Sequence, residues 1–179
     1  MTVLPFQQQL SPQEPPFPPP EGENVSAAEL RRAYALMHQA RVLDDKAPNY
    51  LKQGLGWSYH APCAGHDGIQ IALGLTFRPG HDYLFPYYRD LATCLAAGLS
   101  VEEILLNGLS KRDDVAGGGR HMSNHFAKSA LGIQNVSSVV ANHAQHAAGL
   151  GRAIRTYGSD AIVFCSVGES STSEGYFYE

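Results

Sequence analysis

Val163-Phe164-Cys165-Ser166-Val167-Gly168-Glu169-Ser170-Ser171-Thr172-Ser173-Glu174-Gly175 decides the fold class. An apolar run of strand character leads into a glycine, an acid, several hydroxyls and a second acid, and then a new helical start. An open α/β sheet presents a phosphate and its metal in this way, at the C-terminal end of a parallel strand. The expected fold is therefore α/β with a central parallel sheet, residues 161–167 forming a buried central strand. The same residues also suit an ordinary strand-to-helix turn capped by Ser and Thr. The sequence closes at Glu179, barely one turn into the new helix. The sheet is expected to be incomplete at that end, and the chain to carry part of a larger machinery.

Upstream of this stretch, residues 138–157 are expected to form a helix rich in small residues. Its stripe of Ala144, Ala147, Ala148 and Gly151 would let another backbone approach closely. Residues 111–131 have little apolar periodicity and contain Gly117-Gly118-Gly119, which predicts a long functional loop. Two capping boxes, Ser26-Ala27-Ala28-Glu29 and Ser100-Val101-Glu102-Glu103, announce helices. The first carries Leu30, Tyr34, Met37, Val42 and Leu43 toward an end near Pro48. Further helices are expected over residues 65–77 and 90–97. The turn Arg78-Pro79-Gly80-His81-Asp82 precedes a short apolar segment, read as a strand, at Tyr83-Leu84-Phe85-Pro86. Residues 1–25 hold seven of the 11 prolines and read as an extended or disordered tail.

Composition excludes several classes of function. A net charge of −4 gives neither a nucleic-acid footprint nor a polybasic membrane surface. No apolar run spans a bilayer, and the N-terminus lacks the layout of a secretory signal. Cys63, Cys94 and Cys165 are odd in number and widely spaced, which fits free, mostly buried thiols in a reducing, cytoplasmic compartment.

Four constellations carry chemistry. In Gly168-Glu169-Ser170-Ser171 the glycine permits the turn, and Glu169 is a hard oxygen ligand of the kind Mg²⁺ selects. In Tyr87-Tyr88-Arg89-Asp90 an arginine at a helix start suits a bidentate grip on phosphate; a structural pair with a carboxylate is the plain alternative. In Gly119-Arg120-His121-Met122-Ser123-Asn124-His125 two imidazoles that titrate near neutrality sit in a loop and are candidates for proton transfer. Ser137-Ser138-Val139-Val140-Ala141-Asn142-His143 is a hydroxyl-bearing helix start that either caps itself or binds an ion. His121/His125 and His143/His146 have ligand-like spacings, but zinc is disfavoured: the first pair falls in a Gly/Asn loop that fixes no helical face, and neither CxxC nor HExxH is present.

Taken in chain order, the four segments resemble the alpha subunit of the thiamine-diphosphate-dependent component of 2-oxo acid dehydrogenase complexes, the branched-chain (2-oxoisovalerate) type above all. The resemblance runs from about residue 26 to the chain end and includes a branch in which alpha and beta parts are fused. It implies that residues 26–179 are the N-terminal portion of a thiamine-diphosphate-binding domain. Tyr88 and Arg89 would touch the cofactor's diphosphate, with Ser170 and Ser171. Ser138 and the Val140 backbone would line its thiazolium and pyrimidine region, and Glu169 would ligate Mg²⁺. Tyr87 would lie on the substrate side, and His125 and His121 are the catalytic candidates. Ser137, Asn142 and His143 match a segment that binds a monovalent cation, K⁺, in branched-chain relatives. The implied activity is decarboxylation of a small-molecule 2-oxo acid with acyl transfer to a lipoyl group. The implied partners are a beta subunit, in an α₂β₂ assembly or its fused equivalent, and a lipoyl acyltransferase. Pyruvate and acetoin dehydrogenase alpha chains are the neighbouring alternatives. A non-catalytic domain that keeps only the fold and its subunit-interaction surface is the alternative of another class.

The family pattern is usually Gly-Asp-Gly where this chain has Gly168-Glu169-Ser170, and His66 stands where relatives often carry Glu. The family's Asn-Asn pair and its later catalytic histidine find no match up to Glu179. The isolated chain is accordingly expected to bind thiamine diphosphate weakly and to release no CO₂.

Overall fold

The computed structural model describes residues 25–179, so the proline-rich tail lies outside the described residues but for its last position. Helix α1 (Ala27–Lys52) opens on Ser26, whose hydroxyl accepts from the Glu29 N–H while Glu29 reaches back to the Ser26 backbone. It buries Ala40, Leu43, Asp44 and Ala47. Leu30, Tyr34 and Val42, expected on the apolar face, are exposed instead. The helix carries Pro48 within it and ends only at Lys52.

Helix α2 (Asp67–Thr76) and helix α3 (Leu91–Ala96) pack closely against each other in the core. A Cβ at Gly74 would stand 2.5 Å from the Ala96 Cβ and 2.6 Å from the Thr93 carbonyl oxygen, so glycine is what lets these backbones meet. Helix α4 (Val101–Gly108) opens on the second capping box, with Ser100 as its cap. Trp57, fully buried, lies directly on Gly108, where a Cβ would be 2.4 Å from the indole ring. Trp57, Ile71, Leu84, Leu91, Ile104, Phe126 and Ile133 make up the large buried side chains of one hydrophobic core.

Strand β1 (Tyr83–Phe85) pairs in parallel with β2 (Val163–Cys165), Leu84 opposite Phe164. On its other side, the Leu84 N–H donates to the Gly132 carbonyl and its carbonyl accepts from the Gln134 N–H. β1 is therefore the central strand, and β2, expected to be central and buried, lies at the edge. Ile162, Cys165 and Val167 are exposed, whereas Leu84 is buried. Cys63 and Cys94 are the buried free thiols.

Residues 111–128 form the expected long loop, followed by a 3₁₀ turn at Ser129–Leu131. Helix α5 (Asn142–Tyr157) begins four residues later than expected, because Ala141 takes a left-handed φ of 64°. Its small-residue stripe faces β2 and the Phe177 ring of α6 (Gly175–Tyr178), leaving a groove of about 370 Å³ rather than a close helix contact. An ion cluster fastens the sheet's lower end. Arg78 donates to Asp82 at 2.7 Å and to Asp160 at 3.0 Å, His81 contacts Asp160 at 2.9 Å, and Asp82 accepts the Ile162 N–H. No helix among the described residues is long and apolar enough to cross a membrane.

Candidate active site

Because β1 and β2 run parallel, the segments that follow them emerge at the same end of the sheet. The Ser166 N–H donates to the Phe85 carbonyl and holds the two exits together. Residues 86–90 leave β1 and residues 166–170 leave β2, and between them opens a cavity of about 420 Å³. Tyr87, Tyr88, Arg89, Val140, Glu169 and Ser170, all singled out in the sequence, line it.

Arg89 sends one guanidinium N–H to the Pro62 carbonyl at 3.4 Å and lies 5.8 Å from the Tyr88 ring centre. Among the described residues no carboxylate pairs with it. The plain alternative, a structural ion pair, is thus not what the fold uses, and the remaining donors are free to meet an anion. Glu169 starts a 3₁₀ turn (Glu169–Ser173), and among the described residues its exposed carboxylate accepts only from the Ser170 hydroxyl. The first N–H groups of such a turn have no partner within it.

Ser171 does not line the cavity. It is fully buried, and its hydroxyl accepts the Gly168 N–H at 3.1 Å. The Tyr87 hydroxyl donates to that of Tyr88, and burial together with this neighbour raises the Tyr87 phenol to about 12. Tyr87 also presses on Gly168, whose missing Cβ would be 2.7 Å from the phenol oxygen.

Ser138 lies on a bend ahead of α5, on a narrow hollow whose wall shares Tyr87, Tyr88 and Val140 with the main cavity. Its hydroxyl is 2.8 Å from His125 Nε2. His125 Nδ1 is 3.2 Å from the Ser123 carbonyl, which can only accept, so Nδ1 carries the proton and Nε2 the lone pair. The Ser138 O–H therefore donates to Nε2. Burial lowers the His125 pKa, which favours the neutral ring. His121 stands edge-on to it at 5.1 Å, its Nδ1 buried and without a partner.

The residues matched to a cation site, Ser137 and His143 among them, are dispersed in their contacts. Ser137 accepts the Val139 N–H, while the buried His143 turns its Nε2 to the Ser166 carbonyl at 2.7 Å. Among the described residues no cluster of three or more His, Cys, Asp or Glu is arranged to hold a metal ion.

Asp90 and Gln70 are among the cavity residues to which the sequence reading gave no role. Asp90 is buried on the cavity wall, accepts the Tyr87 N–H at 3.0 Å and the Gln70 amide at 3.3 Å, and has its pKa raised by burial. Gln70 lies one helical turn after His66, which also faces the cavity, and that i,i+4 spacing was the available signal.

Residues 34–179 match the family model described as Dehydrogenase E1 component. The 2-oxoisovalerate dehydrogenase subunit alpha of Bacillus subtilis (strain 168) is 33% identical over 146 residues, 82% of this chain and 44% of that protein. The 2-oxoisovalerate dehydrogenase subunit alpha 2, mitochondrial, of Arabidopsis thaliana is 27% identical over 86% of this chain and 32% of its own length. The pyruvate dehydrogenase E1 component subunit alpha of Mycoplasma genitalium is 28% identical over 84% of this chain and 39% of its own length. The chain thus spans less than half the length of each of these relatives.

Proposed function

This chain belongs to the dehydrogenase E1 component family, and on that premise we propose that it is the alpha part of a thiamine-diphosphate-dependent 2-oxo acid dehydrogenase acting on a branched-chain 2-oxo acid. The observation that carries the proposal is the convergence of Arg89 and Glu169 on one cavity where two parallel strands end. The donor set fits the cofactor. Arg89 has unused N–H donors, the Ser170 hydroxyl lies on the same wall, and Glu169 offers one oxygen ligand. Mg²⁺ is commonly held by one or two carboxylates, with phosphate oxygens and water completing its shell. Glu for the family's Asp keeps the ligand type.

Thiamine diphosphate, when bound, supplies the nucleophilic carbon that decarboxylation of a 2-oxo acid requires. Tyr88 and Arg89 hold and orient the diphosphate, and Ser171 supports the loop from beneath. Ser138 and the Val140 backbone line the ring region, and Tyr87 bounds the substrate side. His125 Nε2, with its lone pair toward Ser138, is the atom at which a proton is taken up or released, and His121 is the adjacent imidazole. K⁺ binding by Ser137, Asn142 and His143 would leave His143 Nε2 out of the shell, because that atom is engaged by the Ser166 carbonyl.

In this proposal the parent is a cytoplasmic complex. A beta subunit or fused beta half completes the site in an α₂β₂ arrangement, and a lipoyl acyltransferase receives the acyl group. Pyruvate is the second substrate reading, favoured by the likeness to the Mycoplasma genitalium protein.

The test is an acceptor-coupled decarboxylation assay of the intact protein assembled with its beta partner. Turnover of 2-oxoisovalerate that exceeds that of pyruvate and depends on thiamine diphosphate and Mg²⁺ is expected. Absence of turnover with every 2-oxo acid would overturn the proposal, and preference for pyruvate would select the second reading.

A further inference from the structure

Asn124 sits between Ser123 and His125 with a left-handed φ of 65° and a side chain that is 1% exposed. Its amide makes three hydrogen bonds to two separate segments, the loop holding Trp57 and Ala61 and the exit of β1 at Tyr88. Oδ1 accepts the Trp57 indole N–H at 3.0 Å, and Nδ2 donates to the Ala61 carbonyl at 3.4 Å and to the Tyr88 carbonyl at 3.3 Å. An indole N–H only donates and carbonyls only accept, so the amide has one workable orientation. The backbone around it is gripped as well. The Asn124 N–H donates to Asn107 Oδ1 at 3.1 Å, and Asn107 Nδ2 donates to the His125 carbonyl at 3.4 Å.

The Tyr88 carbonyl belongs to the peptide unit that continues into Arg89. Asn124 therefore holds the very peptide that presents Arg89 to the cavity, while its own backbone carries the His125 imidazole. From these contacts we infer that Asn124 is a positioning residue, which keeps His125 in register with the Tyr88–Arg89 peptide. It touches neither substrate nor cofactor and acts through His125. The inference rests on the reading of the cavity as the cofactor site, but its geometric part does not.

Two variants separate the amide from the backbone. Asn124→Gly accepts a left-handed φ more readily than asparagine does and removes all three side-chain bonds. Asn124→Asp tolerates the same backbone, keeps an acceptor for Trp57 and removes the two donor bonds. Both are expected to lower kcat by roughly tenfold or more, as small displacements of a reacting group do. The Kd for thiamine diphosphate with Mg²⁺, measured by calorimetry, is expected to change little. In nitrogen-15 spectra of the protein without cofactor, His125 is expected to pass from a single Nδ1–H tautomer to a mixture. Wild-type kcat and a single tautomer in the glycine variant would overturn the inference, since the site would then need only the left-handed backbone. A loss confined to Kd would also overturn it. If the glycine variant does not fold, wild-type behaviour of Asn124→Asp is the contradicting result. Failure of the wild-type protein to bind thiamine diphosphate would count against the reading of the cavity, and the tautomer spectra would still decide the positioning claim.

Discussion

Gly168 has a φ of −74°, which any residue can adopt, so its freedom of rotation is not what the site uses. Its neighbour decides: a Cβ there would lie 2.7 Å from the Tyr87 phenol oxygen and 2.9 Å from the ring carbon bearing it. Gly168→Ala must displace Tyr87 or the loop, at a cost of about 1–3 kcal/mol in unfolding free energy. Tyr87→Phe in that background should recover part of the loss, because it removes the nearest atom. Denaturant unfolding of the single and double variants checks this, and unchanged stability in Gly168→Ala would refute the close contact. Arg89 and Glu169 were legible in the sequence because each is a chemically distinctive residue just past a strand. Ser171, Asn124 and His143 were not legible in their observed roles. Their partners, Gly168, the Tyr88 carbonyl and the Ser166 carbonyl, are fixed by the fold and not by residue type.

Among the elements, capping boxes read well, since the signal and its hydrogen bonds lie within four consecutive residues. The start of α5 did not, because a left-handed Ala141 leaves no mark in composition. Nor does an apolar run say which strand is central. That depends on the bonds Leu84 makes to Gly132 and Gln134, far away in sequence. The junction of β1 with β2 depends on Asp82. Its hydrogen bonds with Arg78 hold the carboxyl at about 2, below the ordinary carboxylate range. A carboxyl depressed in the folded state contributes stability that is present above its unfolded value and is lost as pH falls through the folded one. The contribution is on the order of 1 to 2 kcal/mol. Asp82→Asn should therefore flatten the stability profile between about pH 4 and about pH 2 relative to wild type. Parallel profiles for the two proteins would show that Asp82 is not the titrating group.

For the molecule as a whole, the central claim is that the ends of two parallel strands, with the loop bearing His125, build a site for a diphosphate and its metal. The cavity, Arg89, which meets no carboxylate among the described residues, and the exposed Glu169 all belong to this chain, within the stretch that matches the family. The most direct measurement is calorimetric titration of thiamine diphosphate into the intact protein assembled with the proposed beta part, with and without Mg²⁺, in wild type, Arg89→Ala and Glu169→Gln. Removing a charged partner from a phosphate or metal contact costs about 1.5–3 kcal/mol, roughly tenfold or more in Kd. Stoichiometric, Mg²⁺-dependent binding that weakens by at least that factor in both variants is the predicted result. Binding that is absent in wild type, or indifferent to both substitutions, would contradict it.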